Sequence, residues 1–164
     1  PDHAVPVEVV RNGLRTIAAM IAGGLPTRVY YVSLGGFDTH AGERGRHDQL
    51  MQQFAQGVGA FWKDLKKQEN DDRVLMMTFS EFGRRVEQNA SQGTDHGAAA
   101  PLFVMGGRVK GGLKGAHPSL ADLEEGDLRH HTDFRQVYAT VLERWLKADA
   151  RAVLGAAYEP VPFV

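Results

Sequence analysis

Aspartate, glutamate and histidine side chains occur beside glycines at three places in this sequence. Gly35–His40 follows a first apolar run, Ser80–Arg85 follows a second, and Gly93–Gly97 precedes a third. In open parallel sheets, sites form beyond the carboxyl ends of the strands, because the connecting loops converge there. We therefore expect these three stretches to contribute to one site.

The spacing of Asp38 and His40 favours a shared cation. Side chains two residues apart in an extended segment point the same way, so both are able to reach one ion. Asp95 and His96 are adjacent and cannot do so by alternation. The glycines that flank this pair leave the backbone free to turn either side chain inward.

Metal-ligand chemistry in this chain is restricted to imidazole and carboxylate, because the sequence contains no cysteine. Such ligands suit zinc, manganese or iron, and we predict a zinc or manganese site. The predicted ligands are Asp38, His40, His96, Asp95 and Glu81, with the last two as alternatives for one position. A single Asp-x-His loop is more often a cap and a solvated imidazole than a metal site. The placement of the motifs at successive strand ends therefore carries the prediction.

Two arginines and one further histidine are candidate binding residues. Arg84 and Arg85 are predicted to clamp an anionic substrate through forked hydrogen bonds. In the competing interpretation they pair with Glu81 or Glu87. His117 is favoured as a turn residue whose imidazole caps the backbone, with a ligand role as the alternative. No Gly-x-Ser-x-Gly elbow is present, so nothing supports an esterase triad.

Composition limits the class of protein. The chain has 164 residues, 43% hydrophobic and 24% charged, which is typical of one soluble globular domain. Its 19 basic and 20 acidic residues give a net charge of -1, so nothing attracts it overall to nucleic acid or an anionic membrane. The longest nearly apolar stretch, Thr16–Leu25, is well short of the roughly 20 residues that span a bilayer. Because the chain begins with Pro1, we expect a processed or excised piece.

Apolar residues at helical spacing predict three main helices. The predicted helices are Val7–Ala22, His47–Gln68 and one that starts at Phe134. Asp133 is expected to cap the third helix, with Gln136 as its capping-box partner. A short further helix is predicted near Arg151.

Short apolar runs predict three interior strands at Arg28–Leu34, Arg73–Phe79 and Pro101–Met105. The polar stretch Arg84–Ala100 is predicted to be mainly loop. Strands that alternate with helices imply right-handed crossovers, so we predict an α/β fold with a mostly parallel sheet and helices on both faces. No repeat or linker divides the chain, which predicts a single domain over residues 1–164.

Five ordered motifs together resemble those of a known family. They are Gly-Gly-Phe-Asp-Thr-His at 35–40, Ser-Glu-Phe-Gly-Arg at 80–84, Gly-Thr-Asp-His-Gly at 93–97, Gly-Gly-x-Val-Lys-Gly-Gly at 106–112 and Thr-Asp-Phe-Arg-x-Val-Tyr at 132–138. On these motifs the chain resembles the bacterial domain-of-unknown-function 1501 family over nearly its whole length. That family is grouped with the alkaline phosphatase and sulfatase superfamily. The resemblance therefore implies an alkaline phosphatase-like fold, here partial.

The resemblance also implies roles at a first metal site. In that superfamily two metal sites lie at the carboxyl ends of a parallel sheet. Asp38 and His40 match by position the Asp and His that follow a strand and hold the first metal. His96, just before a glycine and a strand, matches the remaining histidine of that metal.

A second metal site is less complete in this sequence. The strand end at Ser80–Gly83 resembles the superfamily strand that ends in Asp-His-Gly. Glu81 is able to ligate a metal there, whereas Phe82 is not. An alternative alignment matches Asp95 and His96 to that Asp-His pair and leaves the first metal short of a ligand.

The function implied by the resemblance is metal-dependent hydrolysis of small phosphate or sulfate esters. In the superfamily the nucleophile and an early aspartate ligand precede every motif matched here. We therefore expect a carboxy-terminal part of a larger domain that lacks the nucleophile, is inactive by itself and partners the missing part or another chain. Members are often exported, which favours a periplasmic or secreted location. The alternative function is a non-catalytic secreted or envelope-associated binding or assembly module that retains the fold.

Overall fold

A computed structural model describes the backbone of residues 7–164 and the side chains of residues 10–164. Contacts divide the described chain into two compact units. The first unit contains the described residues up to Asp71 together with Gln88–Asp95, and the second contains Asp72–Glu87 and His96–Val164. The prediction of one domain over residues 1–164, of which residues 1–6 lie outside the described part, stays a prediction.

Helix α1 spans Val7–Ala22, as its periodicity predicts. Its buried stripe consists of residues four apart, Val10, Leu14 and Ala18. This stripe is the face of an amphipathic helix that packs against the second helix of the same unit. The chain turns away at Gly24, whose φ of 70° is a left-handed conformation that glycine adopts without strain.

Helix α2 spans Glu43–Lys67 and begins before His47, the start that periodicity predicts. Residues 43–46 carry no apolar side chain, so no hydrophobic pattern marks the first turn. The buried face of α2 contains Leu50, Val58, Phe61 and Leu65. Complete burial of a side chain such as Leu65 contributes about 2 kcal/mol, so α1 and α2 supply the core of the first unit. No helix within residues 7–164 has the length and apolar character that crossing a membrane requires.

The strands in the described residues form three separate pairs. They are β1 (Leu75–Met77) with β4 (Val104–Gly106), β2 (Gly83–Gln88) with β3 (Thr94–Gly97), and β5 (Leu123–Glu124) with β6 (Asp127–Leu128). The β1–β4 and β5–β6 pairs are antiparallel. The predicted mostly parallel, alkaline phosphatase-like sheet with helices on both faces is therefore wrong.

The content of the connections explains this correction. Parallel neighbours are usually joined by a crossover helix, whereas the chain between β1 and β4, all of it described, contains strands β2 and β3 and no helix. Except for Gly83, these strands lie in the polar stretch Arg84–Ala100, which lacks the apolar alternation that would predict them. Only Glu125 and Gly126 connect β5 to β6, with φ of 52° and 88°. A two-residue turn with positive φ at both positions joins antiparallel strands.

The predicted first strand, Arg28–Leu34, is not a strand in the structure. Val29 is 69% exposed and Tyr31 is 72% exposed. Val32, which alternation places on the other side of the run, packs so closely on α1 that a Cβ at Gly13 would lie 3.3 Å from its methyl groups. A strand buried on both faces would cover both sets of side chains. The continuous apolar run therefore predicted more burial of these side chains than the structure shows.

The second unit contains the carboxy-terminal helices. These are α3 (Phe134–Thr140), a π-helical turn (Val141–Trp145) and α4 (Ala150–Leu154). The Asp133 carboxylate accepts a hydrogen bond from the backbone N–H of Arg135 at 2.9 Å, and the Gln136 side chain accepts one from the N–H of Asp133 at 3.1 Å. The predicted capping box is confirmed, and α4 confirms the helix predicted near Arg151.

The cap of α3 predicts a pH-dependent contribution to stability. The hydrogen-bonded guanidinium of Arg135 lowers the pKa of Asp133 from 3.8 to about 2. A carboxyl group with a lowered pKa stabilises the fold above its unfolded pKa, and this contribution is lost as the pH falls from about 4 toward 2. Asp133→Ala should lower the free energy of unfolding by about 1 kcal/mol at pH 7, and the difference should shrink near pH 2. Urea unfolding followed by circular dichroism at both pH values measures it.

The control for this prediction is Arg135→Gln, which retains the cap and removes the positive charge that lowers the pKa of Asp133. Its unfolding free energy should change less with pH than that of the wild type over the same range. A difference between wild type and Asp133→Ala that stays constant down to pH 2 would contradict the prediction.

Candidate metal centre

A tight turn brings Asp38 and His40 together. The backbone N–H of Thr39 donates to the carbonyl of Phe37 at 2.9 Å, which closes a three-residue turn centred on Asp38. Oδ1 of Asp38 lies 2.9 Å from Nε2 of His40. The two side chains lie side by side, but a turn brings them together and not the extended backbone that the spacing predicts. Their role as metal ligands stays a prediction.

The second ring nitrogen of His40 faces a carboxylate from a distant part of the chain. Nδ1 of His40 lies 3.2 Å from Oδ1 of Asp95, 55 residues away in sequence. A neutral imidazole carries a single N–H, so when Nδ1 donates to Asp95, Nε2 offers its lone pair on the side of Asp38. Both ring nitrogens of His40 therefore lie beside carboxylate oxygens, one from Asp38 and one from Asp95.

The three side chains of this cluster are accessible to solvent. His40 is 48% exposed, Asp38 is 60% exposed and Asp95 is 62% exposed. Ion pairs this exposed stabilise a fold by no more than about 1 kcal/mol. The charges themselves therefore cannot hold the cluster together, and the backbone must position them.

Backbone hydrogen bonds attach the start of α2 to the loop before β3. The N–H groups of Gly42 and Glu43 donate to the carbonyls of Ser91 and Gln92, both at 3.0 Å. The first N–H groups of a helix have no partner inside the helix, so the loop satisfies them. The hydroxyl of Thr94 donates to Oε2 of Glu43 at 2.6 Å, which adds a side-chain contact to the same junction. This junction places Asp95 beside His40.

Gly93 is required where the loop crosses the backbone of His40. A Cβ at Gly93 would collide with the carbonyl group of His40 and would lie 2.7 Å from the nitrogen of Ala41. Gln92, immediately before it, adopts a left-handed φ of 60°. The first glycine of the Gly-Thr-Asp-His-Gly motif therefore allows the approach that brings Asp95 to the imidazole.

The other predicted ligands, His96 and Glu81, belong to the second unit. The imidazole of His96 stacks on the ring of Phe82, with ring centroids 3.7 Å apart and planes 4° apart. Phe82, which carries no metal-ligating atom, thus packs against an imidazole. The ligand roles of His96 and Glu81 stay predictions.

The two arginines predicted to bind a substrate anion have different surroundings. The guanidinium carbon of Arg84 lies 5.2 Å from the centre of the Phe82 ring. Arg85 donates from Nη2 to the carbonyl of Glu125 at 2.6 Å, and its Nε lies 3.3 Å from Oδ1 of Asp127. Arg85 thus supports the turn between β5 and β6. Binding of an anionic substrate by Arg84 and Arg85 stays a prediction.

The described chain consists of helices and short strand pairs, and it places Asp38, His40 and Asp95 side by side. Residues 8–156 match the model of the family described as protein of unknown function (DUF1501). The chain belongs to this family, which confirms the family resemblance drawn from the five motifs. Comparisons with curated proteins and with solved structures give no significant match.

Sequence reasoning missed one residue of the site. Asn89 donates from Nδ2 to the carbonyl of His40 at 3.0 Å, although the two residues are 49 positions apart. Asparagine is common in turns because its side chain bonds nearby backbone. Neither that general preference nor the chance match of Asn89-Ala90-Ser91 to a glycosylation triplet indicates a contact with His40.

A side chain at position 93 should disrupt the junction between the start of α2 and the loop before β3. Gly93→Ala introduces a methyl group against the His40 carbonyl, and we expect a loss of about 1–3 kcal/mol in the free energy of unfolding. Gly59→Ala in α2 is the matched control, because a Cβ there meets nothing within 4 Å. Alanine at that helical position should be neutral or stabilising by up to about 1 kcal/mol. Urea unfolding of both variants makes the comparison, and equal stability of the two would refute the role given to Gly93.

Proposed function

We propose that this chain binds one divalent cation, zinc or manganese, between Asp38 and His40. We further propose that the cation serves hydrolysis of a small phosphate or sulfate ester. The observation that carries the proposal is the 2.9 Å separation of Asp38 Oδ1 and His40 Nε2, with Asp95 on the other ring nitrogen. The reaction class comes from the family resemblance, and the cation from the geometry of the site.

The distance between the two ligand atoms fits a shared cation. Tetrahedral zinc ligands lie about 2.0–2.2 Å from the ion, so neighbouring ligand atoms are about 3.3–3.6 Å apart. The Asp38 and His40 ligand atoms are 2.9 Å apart, so they must separate by roughly 0.4–0.7 Å when a zinc ion enters between them. A deprotonated Nε2 and a carboxylate oxygen at this distance repel each other unless a proton or a cation lies between them.

Asp95 supports the proposal from outside the ligand pair. Metal-bound histidines almost always donate their other ring N–H to a carboxylate, a carbonyl or water, which fixes the ring and strengthens its ligand nitrogen. The 3.2 Å contact from His40 Nδ1 to Asp95 has this form. We therefore assign Asp38 and His40 as ligands and Asp95 as the residue that orients His40. His96, next to Asp95 in sequence, remains the predicted additional ligand.

When bound, such a cation polarises an ester oxygen and offsets the negative charge that develops during hydrolysis. Asp38 and His40 would hold it at an exposed position that water and a small anion are able to reach. The sequence assigns no nucleophile to this chain, so we propose that the attacking group lies outside these residues. Binding of an ester or anion, rather than turnover, is therefore the activity to measure on this chain.

The exposure of Asp38 and His40 bears on the two functions that the sequence left open, a cation-dependent hydrolase and a non-catalytic module. A non-catalytic module that used these side chains as structural partners would bury Asp38 and His40 and bond them to backbone. Instead the two are exposed and bonded to each other. This observation favours the cation site over the purely structural alternative.

Zinc binding tests the proposal directly. We expect isothermal titration and elemental analysis to find one zinc per chain, and Asp38→Ala or His40→Ala to weaken binding by about 100-fold or more, beyond the usual effect of an outer-shell residue. His96→Ala tests the predicted additional ligand. Inorganic phosphate should bind to the zinc-loaded chain and not to the zinc-free chain.

The matched control is Asp64→Ala, which removes an exposed carboxylate from α2 and should leave zinc affinity unchanged. Equal zinc content in wild type, Asp38→Ala and His40→Ala would exclude a site at these residues. Zinc binding without any gain in phosphate binding would retain the cation site and refute its hydrolytic use.

A further inference from the structure

We propose that Asn89 is a positioning residue for the cation site, acting through the carboxylate of Asp95. This inference rests on the proposed function, and it concerns a residue to which neither the motifs nor the family resemblance assigns a role.

The amide nitrogen of Asn89 contacts both His40 and Asp95. Nδ2 donates to the carbonyl of His40 at 3.0 Å and to Oδ1 of Asp95 at 3.4 Å. This oxygen of Asp95 also faces Nδ1 of His40. The Asn89 amide and the His40 ring therefore converge on one carboxylate oxygen of Asp95, which restricts the rotation of the carboxylate.

The amide oxygen of Asn89 holds the loop that carries Asp95. Oδ1 accepts the backbone N–H groups of Ser91 and Gly93, both at 3.0 Å. The backbone N–H of Asn89 donates to the carbonyl of Gly93 at 2.8 Å, so the loop is closed from both sides. Because the amide is planar, bonds to its oxygen fix the direction of its nitrogen.

Asparagine is the side chain that satisfies both requirements. Aspartate would still accept the N–H groups of Ser91 and Gly93, but it has no N–H to donate and would place a second negative charge beside Asp95. Alanine would lose the bonds on both sides. These two substitutions therefore separate support of the loop from orientation of the carboxylate.

A double-mutant cycle with zinc tests the inference. We expect Asn89→Ala to weaken zinc binding by about tenfold, which is typical of a residue outside the ligand shell. In an Asp95→Ala background the same change should weaken binding by less than about threefold, because the carboxylate through which Asn89 acts is absent. Thermal unfolding of all four proteins records the general contribution of Asn89 to stability, which should persist in both backgrounds.

An equal loss of zinc affinity in both backgrounds would overturn the inference, because Asn89 would then act only by supporting the loop. If the wild type binds no zinc, the proposed function fails. The inference is then judged by the ¹⁵N shifts of the His40 ring in the zinc-free chain. Asn89→Ala should change these shifts, because Asp95 is no longer held beside Nδ1 of His40, and unchanged shifts would refute the positioning role.

A variant that retains the loop covers the case in which Asn89→Ala does not fold. Asn89→Asp retains the acceptor for Ser91 and Gly93, so its melting temperature should stay near that of the wild type. Its His40 ring shifts should nevertheless change, since the donor to Asp95 is lost. Native-like ring shifts in a folded Asn89→Asp protein would contradict the inference.

Discussion

The contact between the start of α2 and the loop before β3 is the constraint on which the candidate site depends. His40 and Asp95 are 55 residues apart in sequence and meet because this contact is made. It consists of backbone hydrogen bonds from Gly42 and Glu43, together with a glycine at position 93 that leaves no side chain in the way. Without this close approach, Asp95 would no longer lie beside the imidazole.

The charged side chains of the site are exposed, and the backbone holds them in place. Asp38, His40 and Asp95 are all about half exposed or more, so their mutual attraction is screened by water and contributes little to stability. Their positions are set instead by the turn at Asp38 and by the loop that Asn89 closes. The fold therefore does not depend on the pairing of these charges, which is consistent with the proposed cation site.

The sequence predicted the helices better than the strands, for a physical reason. Helical periodicity is local, and it predicted α1 and the cap of α3 correctly. Strand pairing is not local: apolar runs indicate extended structure but not the partner or its direction. Val29 and Tyr31 are apolar and yet exposed, so the predicted interior strand there, and with it the parallel sheet, was wrong. At the site, the two-residue spacing predicted that Asp38 and His40 face each other. The role of Asn89 was not predictable, because it depends on hydrogen bonds to backbone far away in sequence.

X-ray absorption at the zinc edge, on the zinc-loaded chain, tests the central claim most directly. Coordination by His40 and Asp38 predicts an imidazole nitrogen at about 2.0–2.1 Å and a carboxylate oxygen at about 2.0–2.2 Å in the first shell. The outer-shell scattering that an imidazole ring produces should be present in the wild type and reduced in His40→Ala. A spectrum made of oxygen ligands alone, or one that His40→Ala leaves unchanged, would contradict the claim that this histidine binds the cation.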